Sequence, residues 1–491
     1  MTRTIAIAGA TGFVGRALLS ALAKGDDRLV GLTRGDSVSL SDGEAETLRD
    51  VEWRRVDLFS LLECERALEG ATHAVYLVHS MAPSARLTQA SFDDLDLLLA
   101  DNFARAARHA GVEHIVYLSG ILPRDEDPSE LSDHLRSRAE VEEALRSTGV
   151  PVTCVRAGLV LGPGGSSATM MTRLVERLPA MLCPAWTASA SRPIDRRDLV
   201  PVLTGVIGAT HLDRALDVGG PEALSYRELM ARTAAVQGRR RLMVPTRLFS
   251  PGLSVLWVSL VTGSSRDLVA PLVESLRHCM LPEDDAWQRE HAPPRHGLDD
   301  SLRRVVEGED PERPHRIPAV IVRERPVAPR NTVRSVQRLP NPGGLTAADA
   351  ADAYTRWLPK YMRPFLRVDS EPSEVRFRLA GLSRPLLVLT RAPDRSQSSR
   401  PLFYVTGGLL ARPDLAPTGR LEFRSVRDGR SIVSAIHDFV PRLPWYLYNA
   451  TQAVVHLFVM RAFGRWLGRR RVAQSRSSKK SSSGSMPSGY P

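Results

Sequence analysis

Short apolar runs alternate with stretches of helical periodicity through the first third of the chain. Strand-like segments at 4–8, 28–33, 52–56, 73–79, 113–119 and 151–157 alternate with helix patterns near 13–24, 91–110 and 133–147. This is the rhythm of strand–helix–strand units, which build a parallel sheet. The run His114-Ile115-Val116-Tyr117-Leu118 is apolar almost throughout, as a strand covered by helices on both faces requires. The pattern predicts a doubly wound α/β domain.

The pattern then changes. Seven prolines and several arginines between 311 and 342 break the periodicity and read as a linker or irregular arm. A helix pattern at 346–360 follows, then strand-like runs at 374–380, 385–391, 401–411, 419–426 and 430–439, and a helix at 444–468. Short turns such as Arg427-Asp428-Gly429 imply an antiparallel sheet, so this part is α+β with a long C-terminal helix. The expected organisation is an α/β domain over 1–305, with its substrate part at 160–300, a Pro/Arg-rich linker over 306–344, an α+β domain over 345–468 and a disordered basic tail over 469–491.

At 491 residues, 43% hydrophobic and 25% charged, the composition fits a globular chain of at least two domains and excludes a wholly disordered, fibrous or disulfide-stapled one. The net charge is +11, but Arg465, Arg469, Arg470, Arg471, Arg476, Lys479 and Lys480 stand in a tail without acids. That excess implicates at most the tail in polyanion contact, and no specific nucleic-acid binding is expected. Lys24, Lys360, Lys479 and Lys480 are the only lysines, so none lies between 25 and 359. Cys64, Cys154, Cys183 and Cys279 are widely spaced without a CxxC, which indicates neither a zinc site nor a disulfide framework and suits a reducing cytosol. The start of the chain runs directly into a strand with no signal-peptide pattern, and the uncharged windows 248–265 and 443–460 are broken by proline, glycine or polar residues, so a cytoplasmic protein without a spanning helix is expected.

Chemistry enters with Gly9-Ala10-Thr11-Gly12-Phe13-Val14-Gly15, a GxxGxxG run between the first strand and its helix. Glycines permit the tight turn and close approach to a pyrophosphate, and the helix N-terminus offers unpaired N–H groups. This context points to a Rossmann-type dinucleotide site with Gly9, Thr11, Gly12, Phe13, Val14 and Gly15 around the cofactor. The second strand ends in Arg34, where an NAD-preferring site places a carboxylate. A guanidinium suits a 2′-phosphate, which favours NADP over NAD; the bland alternatives are a solvated arginine and competition from Asp36. Asp57-Leu58, after the third strand, suits adenine contact. Val78-His79-Ser80-Met81 ends the fourth strand at the ligand-binding edge, where His79 is a cofactor-site residue or equally a turn residue.

On these residues, together with Tyr117-Leu118-Ser119-Gly120, Gly162-Pro163-Gly164 and Pro193-Ile194-Asp195-Arg196-Arg197-Asp198, the first 300 positions resemble the atypical, extended-like short-chain dehydrogenase/reductase superfamily. Tyr76 to Met81, Asp101-Asn102-Phe103 and His134-Leu135-Arg136-Ser137-Arg138 look like a bacterial NAD(P)H-binding subgroup with an appended domain of unknown function. Ala435 to Phe439 and Leu443-Pro444-Trp445 look like that domain. The resemblance implies a Tyr-x-x-x-Lys helix, in which the lysine lowers the tyrosine pKa and the phenol relays a proton. This chain has His134-x-x-x-Arg138 there, and no lysine in the domain restores the motif.

Three readings stand. His134 is a general acid with Arg138 holding ribose or phosphate; or the pair is the surface of a charged helix capped by Ser132; or the domain binds NADPH without turnover, as a sensor or scaffold. Ser119 matches the superfamily's substrate-orienting serine approximately. The expected function is NADP(H)-dependent oxidation or reduction of a small, apolar carbonyl, enone or alcohol. Leu253–Val261 reads equally as part of a hydrophobic substrate lid or as buried packing; the C-terminal helix reads first as core packing, with lining of a lipophilic pocket and weak peripheral membrane contact through the helix and its basic tail as the lesser alternatives.

Overall fold

The computed structural model of the protein describes residues 2–35, 37–79, 87–123, 126–127, 130–246, 251–263, 266–308, 317–321, 332–415 and 419–481. They fall into two compact units: residues 1–81 with 99–324, and 82–98 with 325–491.

The first unit is built on a seven-stranded sheet in the order Ala215–Val218, Val152–Ala157, His114–Gly120, His73–Tyr76, Thr4–Ala8, Arg28–Thr33, Glu52–Arg55. All neighbours are parallel. Their central residues, Ile5, Ile7, Val75, Val116 and Val155, are essentially inaccessible, which explains the continuous apolar runs. Strand order reverses between Thr4–Ala8 and His73–Tyr76, and the crevice at the carboxyl ends of such strands is where doubly wound folds bind ligands. Over that edge stand the helices Ser166–Arg177, Tyr226–Val236, Pro251–Thr262 and Arg266–Ser275, and a small parallel ribbon of Ala180–Pro184 with Leu242–Thr246.

One buried histidine gives this unit an acid limit. The His114 Nε2–H lies 2.9 Å from Thr153 Oγ1, whose own hydroxyl donates to Leu212 O at 2.8 Å. His114 Nδ1 accepts the Gly208 N–H at 3.2 Å, so the neutral ring uses both nitrogens. Burial, with His73 nearby, pulls its pKa from 6.5 down to about 4. The unfolded chain takes up a proton at about 6.5 that the native chain refuses, so this contribution to stability is intact above that pH and is lost as pH falls toward about 4. The loss is about 3 kcal/mol for this ring alone. Urea midpoints measured from pH 7 to pH 4.5 should fall, and His114→Gln should flatten that limb; a wild-type profile without an acid limb would contradict it.

The second unit is an eight-stranded sheet in the order Leu366–Ser370, Glu374–Leu379, Leu387–Arg391, Leu402–Gly407, Arg420–Val426, Ser431–Phe439, Val333–Pro340, Leu87–Gln89. It is antiparallel except for the last pair. The helices Ala347–Tyr361 and Gln452–Ser481 share a core with it, in which Tyr354, Trp357, Phe423 and Phe463 make mutual ring contacts. Polar strand positions are closed by charge: the Glu422 carboxylate accepts from Arg400 Nε at 2.7 Å, Arg424 Nη2 at 2.8 Å and His437 Nε2 at 3.1 Å.

The boundaries differ from those the sequence suggests. Val333–Pro340 lies in the stretch expected as linker, yet it is an inner strand, because its arginines find partners: Arg338 Nε donates to Asp94 at 2.7 Å and Arg334 pairs with Asp438 at 3.5 Å. Leu87–Gln89, expected in the first domain, pairs with that strand and belongs to the second unit. The C-terminal helix is two segments, Trp445–Ala450 and Gln452–Ser481, and the second runs past 468 into the expected tail. The rest of the expected tail, 482–491, and residues 309–316 and 322–331 of the expected linker lie outside the described residues.

Candidate functional site

The glycine run forms a cradle of backbone at the strand reversal. Gly9 has φ +86°, a left-handed conformation that favours glycine, and a Cβ there would stand 2.9 Å from Leu77 O. At Gly15 the added atom would lie 2.1 Å from Gly9 O and 2.9 Å from Ala10 Cα, because the helix Phe13–Leu22 presses directly on the loop. Gly12 caps that helix with no side-chain acceptor on its first-turn N–H groups. Such a terminus, with an exposed Thr11 beside it, fits a pyrophosphate. The Phe13 ring packs against the Gly162 and Gly165 positions and under Arg196, 4.7 Å from the guanidinium carbon, and Phe13 and Val14 both line the neighbouring cavity.

Arg34 is exposed just beyond the second strand. Its expected competitor, Asp36, lies outside the described residues, as do Ser80 and Met81. Asp57 is half-buried, and its carboxylate accepts the Phe59 N–H at 3.1 Å. The Leu58 side chain is buried, and its carbonyl accepts from Asn102 Nδ2 at 2.7 Å. These two residues organise the loop after the third strand.

A cavity of about 400 Å³ begins at Phe13 and Val14 and brings together His79, Ser119, His134 and Arg138. Ser119 ends the strand His114–Gly120; its hydroxyl is buried and has no hydrogen-bond partner among the described residues. His134 and Arg138 occupy one face of the helix Asp133–Arg146, four residues apart. Ser132 caps this helix by accepting the Leu135 N–H, and its own N–H donates to His278 Nε2 at 3.1 Å, which fixes where the first turn points. The His134 ring meets the His79 ring edge-on at 5.0 Å. Arg138 Nη1 donates to Tyr117 Oη at 3.3 Å. Thus the histidine–arginine pair lines the cavity rather than an outer helix face, and the surface reading falls.

Burial, with the positive charge of Arg138 and then of His79, holds the His134 imidazole well below its usual pKa. The ring is therefore neutral at physiological pH and offers an N–H, not an imidazolium proton. Beyond these groups the cavity turns apolar, lined by Met170, Leu174, Trp186, Val258 and Val273. Tyr226 also lines it; burial pushes its phenol up to about 12, so it stays protonated. Tyr226 stands far along the chain from the motifs it meets, so no local pattern in the sequence marks it as a site residue.

Fold and cradle together define a dinucleotide-binding protein of the atypical short-chain dehydrogenase/reductase class. A family model described as NAD(P)H-binding matches residues 9–174. Similar proteins include (4-alkanoyl-5-oxo-2,5-dihydrofuran-3-yl)methyl phosphate reductase of Streptomyces griseus, 30% identical over 242 residues, 48% of this chain and 74% of that protein. Ceramide reductase of Caulobacter vibrioides is 28% identical over 314 residues, 62% of this chain and 93% of that protein. Among solved structures, Citrobacter sp. triphenylmethane reductase complexed with NADP(H) has a TM-score of 0.46 at 17% identity, covering 61% of this chain and 99% of that one. The chain belongs to the NAD(P)H-binding, atypical short-chain dehydrogenase/reductase family, and its first unit is an NAD(P)H-binding domain.

Proposed function

We propose that the protein is an NADP(H)-dependent reductase of an apolar carbonyl compound. The observation that carries this reading is the extent of the cavity, from Phe13 and Val14 beside the phosphate cradle, past Ser119 and His134, into an apolar chamber. Gly9, Gly12 and Gly15 hold the pyrophosphate, and Arg34 holds the 2′-phosphate and sets the preference for NADP. The bound cofactor supplies hydride. The Ser119 hydroxyl and the neutral His134 N–H hydrogen-bond the substrate oxygen and stabilise the charge that develops there, as a neutral imidazole at a helix N-terminus does elsewhere, and the resulting alkoxide takes its proton from water, leaving the alcohol. Arg138 orients Tyr117 beneath them. The names of the two similar reductases support reduction. A second reading, an NADPH-binding sensor without turnover, is favoured by one observation, that His134-x-x-x-Arg138 replaces the lysine-containing relay.

The test combines titration with turnover. Arg34→Ala should weaken NADPH binding about tenfold to a hundredfold and leave NADH unchanged. In a screen of long-chain ketones and enones, His134→Ala should lower kcat/KM about a hundredfold with NADPH affinity unchanged. The pH–rate profile should lack a limb near the ordinary histidine value. Tight NADPH binding with no NADPH oxidation across the screen would favour the sensor; no nucleotide binding would sink both readings.

The C-terminal helices add a surface to this proposal. Trp445, Tyr446 and Phe458 are exposed there, and residues 441–481 contain no acid, which supports weak contact with an anionic surface. Among the described residues no helix is long and apolar enough to cross a membrane.

A further inference from the structure

The helix Pro251–Thr262 is apolar on two sides. Val255 and Val258 are buried in one cluster with Met170, Val269 and Val273, and Val258 lines the cavity itself. Leu256 and Leu260 point the other way, 43% and 80% exposed. A helix with no charged residue, one flank of which roofs a substrate chamber, has no reason within this unit to carry exposed leucines on the other.

The neighbouring ribbon repeats the feature. Leu182 and Val244 are register partners on the ribbon Ala180–Pro184 and Leu242–Thr246, and both are exposed, with Leu242 at 64%. Their alternates, Met181, Cys183 and Met243, face the unit's interior. The two apolar surfaces meet at the end of the helix Ser166–Arg177. Arg173 and Arg177 donate to the Thr262 and Val261 carbonyls, and Arg239 and Arg241 donate to the Glu176 carbonyl. With the exposed Arg240, five arginines fringe the leucines; among the described side chains at this helix end the acid is Glu176, which pairs with Arg239 at 3.7 Å. Exposed aliphatic side chains bordered by guanidinium groups match a bilayer with anionic headgroups.

We propose that the helix Pro251–Thr262 is a membrane-seated lid. Leu256 and Leu260 enter the headgroup–acyl boundary, and the substrate is a molecule with a long apolar chain that passes from the bilayer into the chamber beneath the same helix. The proposal rests on the reading of the cavity as the substrate site, but its test does not depend on turnover.

The full-length protein is floated with vesicles of phosphatidylcholine alone and of phosphatidylcholine with one third phosphatidylglycerol, and NADPH affinity is measured on every variant. Wild type should bind the anionic vesicles more tightly than the neutral ones. The double substitution Leu256→Ser, Leu260→Ser should weaken binding to both by at least about tenfold, with NADPH affinity kept. Arg240→Gln should weaken binding to the anionic vesicles alone, about fivefold, which keeps the test valid should the double variant fold poorly. Absence of vesicle binding by wild type overturns the lid, as does undiminished binding by the double variant or its loss through Phe458→Ser alone. If wild type floats in this pattern but binds no NADPH, the reductase reading fails and the membrane surface stands.

Discussion

Gly15→Val should abolish NADPH binding, a loss of at least about a hundredfold by calorimetric titration. The first atom added at Gly15 would stand 2.1 Å from Gly9 O, and the atoms around it are backbone, which cannot swing aside as the end of a side chain can. The helix Phe13–Leu22 must lift off the loop, and its first-turn N–H groups leave the line of the pyrophosphate. Lost packing should lower stability by about 1–3 kcal/mol, visible as a lower Tm. Gly12→Ala is the matched control. Its Cβ would lie 3.1 Å from Gly9 O at an ordinary φ of −80°, so the fold should survive and binding should fall about tenfold, through crowding of the phosphate alone. A Gly15→Val protein that still bound NADPH within tenfold of wild type would show that the cofactor does not use this cradle.

The second large effect is expected in the other unit. Glu422→Ala should destabilise that sheet by about 3–5 kcal/mol, because Arg400 and the fully buried Arg424 would keep their charges and lose the carboxylate between them. Burial alone would raise the Glu422 pKa, yet the charges of Arg424 and Arg400 hold it well below the ordinary carboxylate range, so the group is ionised at any pH the protein meets. Glu422→Gln keeps the shape and one acceptor, and should cost about 2 kcal/mol. Chemical denaturation followed by the fluorescence of Trp357 and Trp466, which stand in this unit's core, measures both. NADPH affinity of the folded Glu422→Ala protein should be unchanged. Equal stability of the alanine variant and wild type would mean that this cluster is solvated.

Much of the first unit was legible because its determinants are local. A strand buried on both faces must be apolar at every position, a helix over it must repeat its apolar residues, and a phosphate loop must carry glycine where the backbone crowds itself. The runs from Thr4–Ala8 to Val152–Ala157 and the glycines at 9, 12 and 15 satisfy those conditions within a few residues of each other. The pairing of His134 with Arg138 was legible for the same reason, since four residues are one turn of helix.

What tertiary structure alone decided concerns partners distant in sequence. The Pro- and Arg-rich stretch looks like a linker until Arg334 meets Asp438 and Arg338 meets Asp94; a charged residue fits an inner strand only when its counter-ion is present, and that ion lies 104 and 244 residues away. Leu87–Gln89 is too short to announce itself and becomes a strand by pairing with residues about 246 positions on. The protonation of His134 was equally invisible, because its depressed pKa comes from burial and from neighbours supplied by its own helix and by the loop that carries His79. Sequence thus determined which segments fold and where a dinucleotide can sit, because those depend on backbone and near neighbours; the tertiary structure decided which charges could be buried and which proton the site holds, because both depend on groups that only folding brings together.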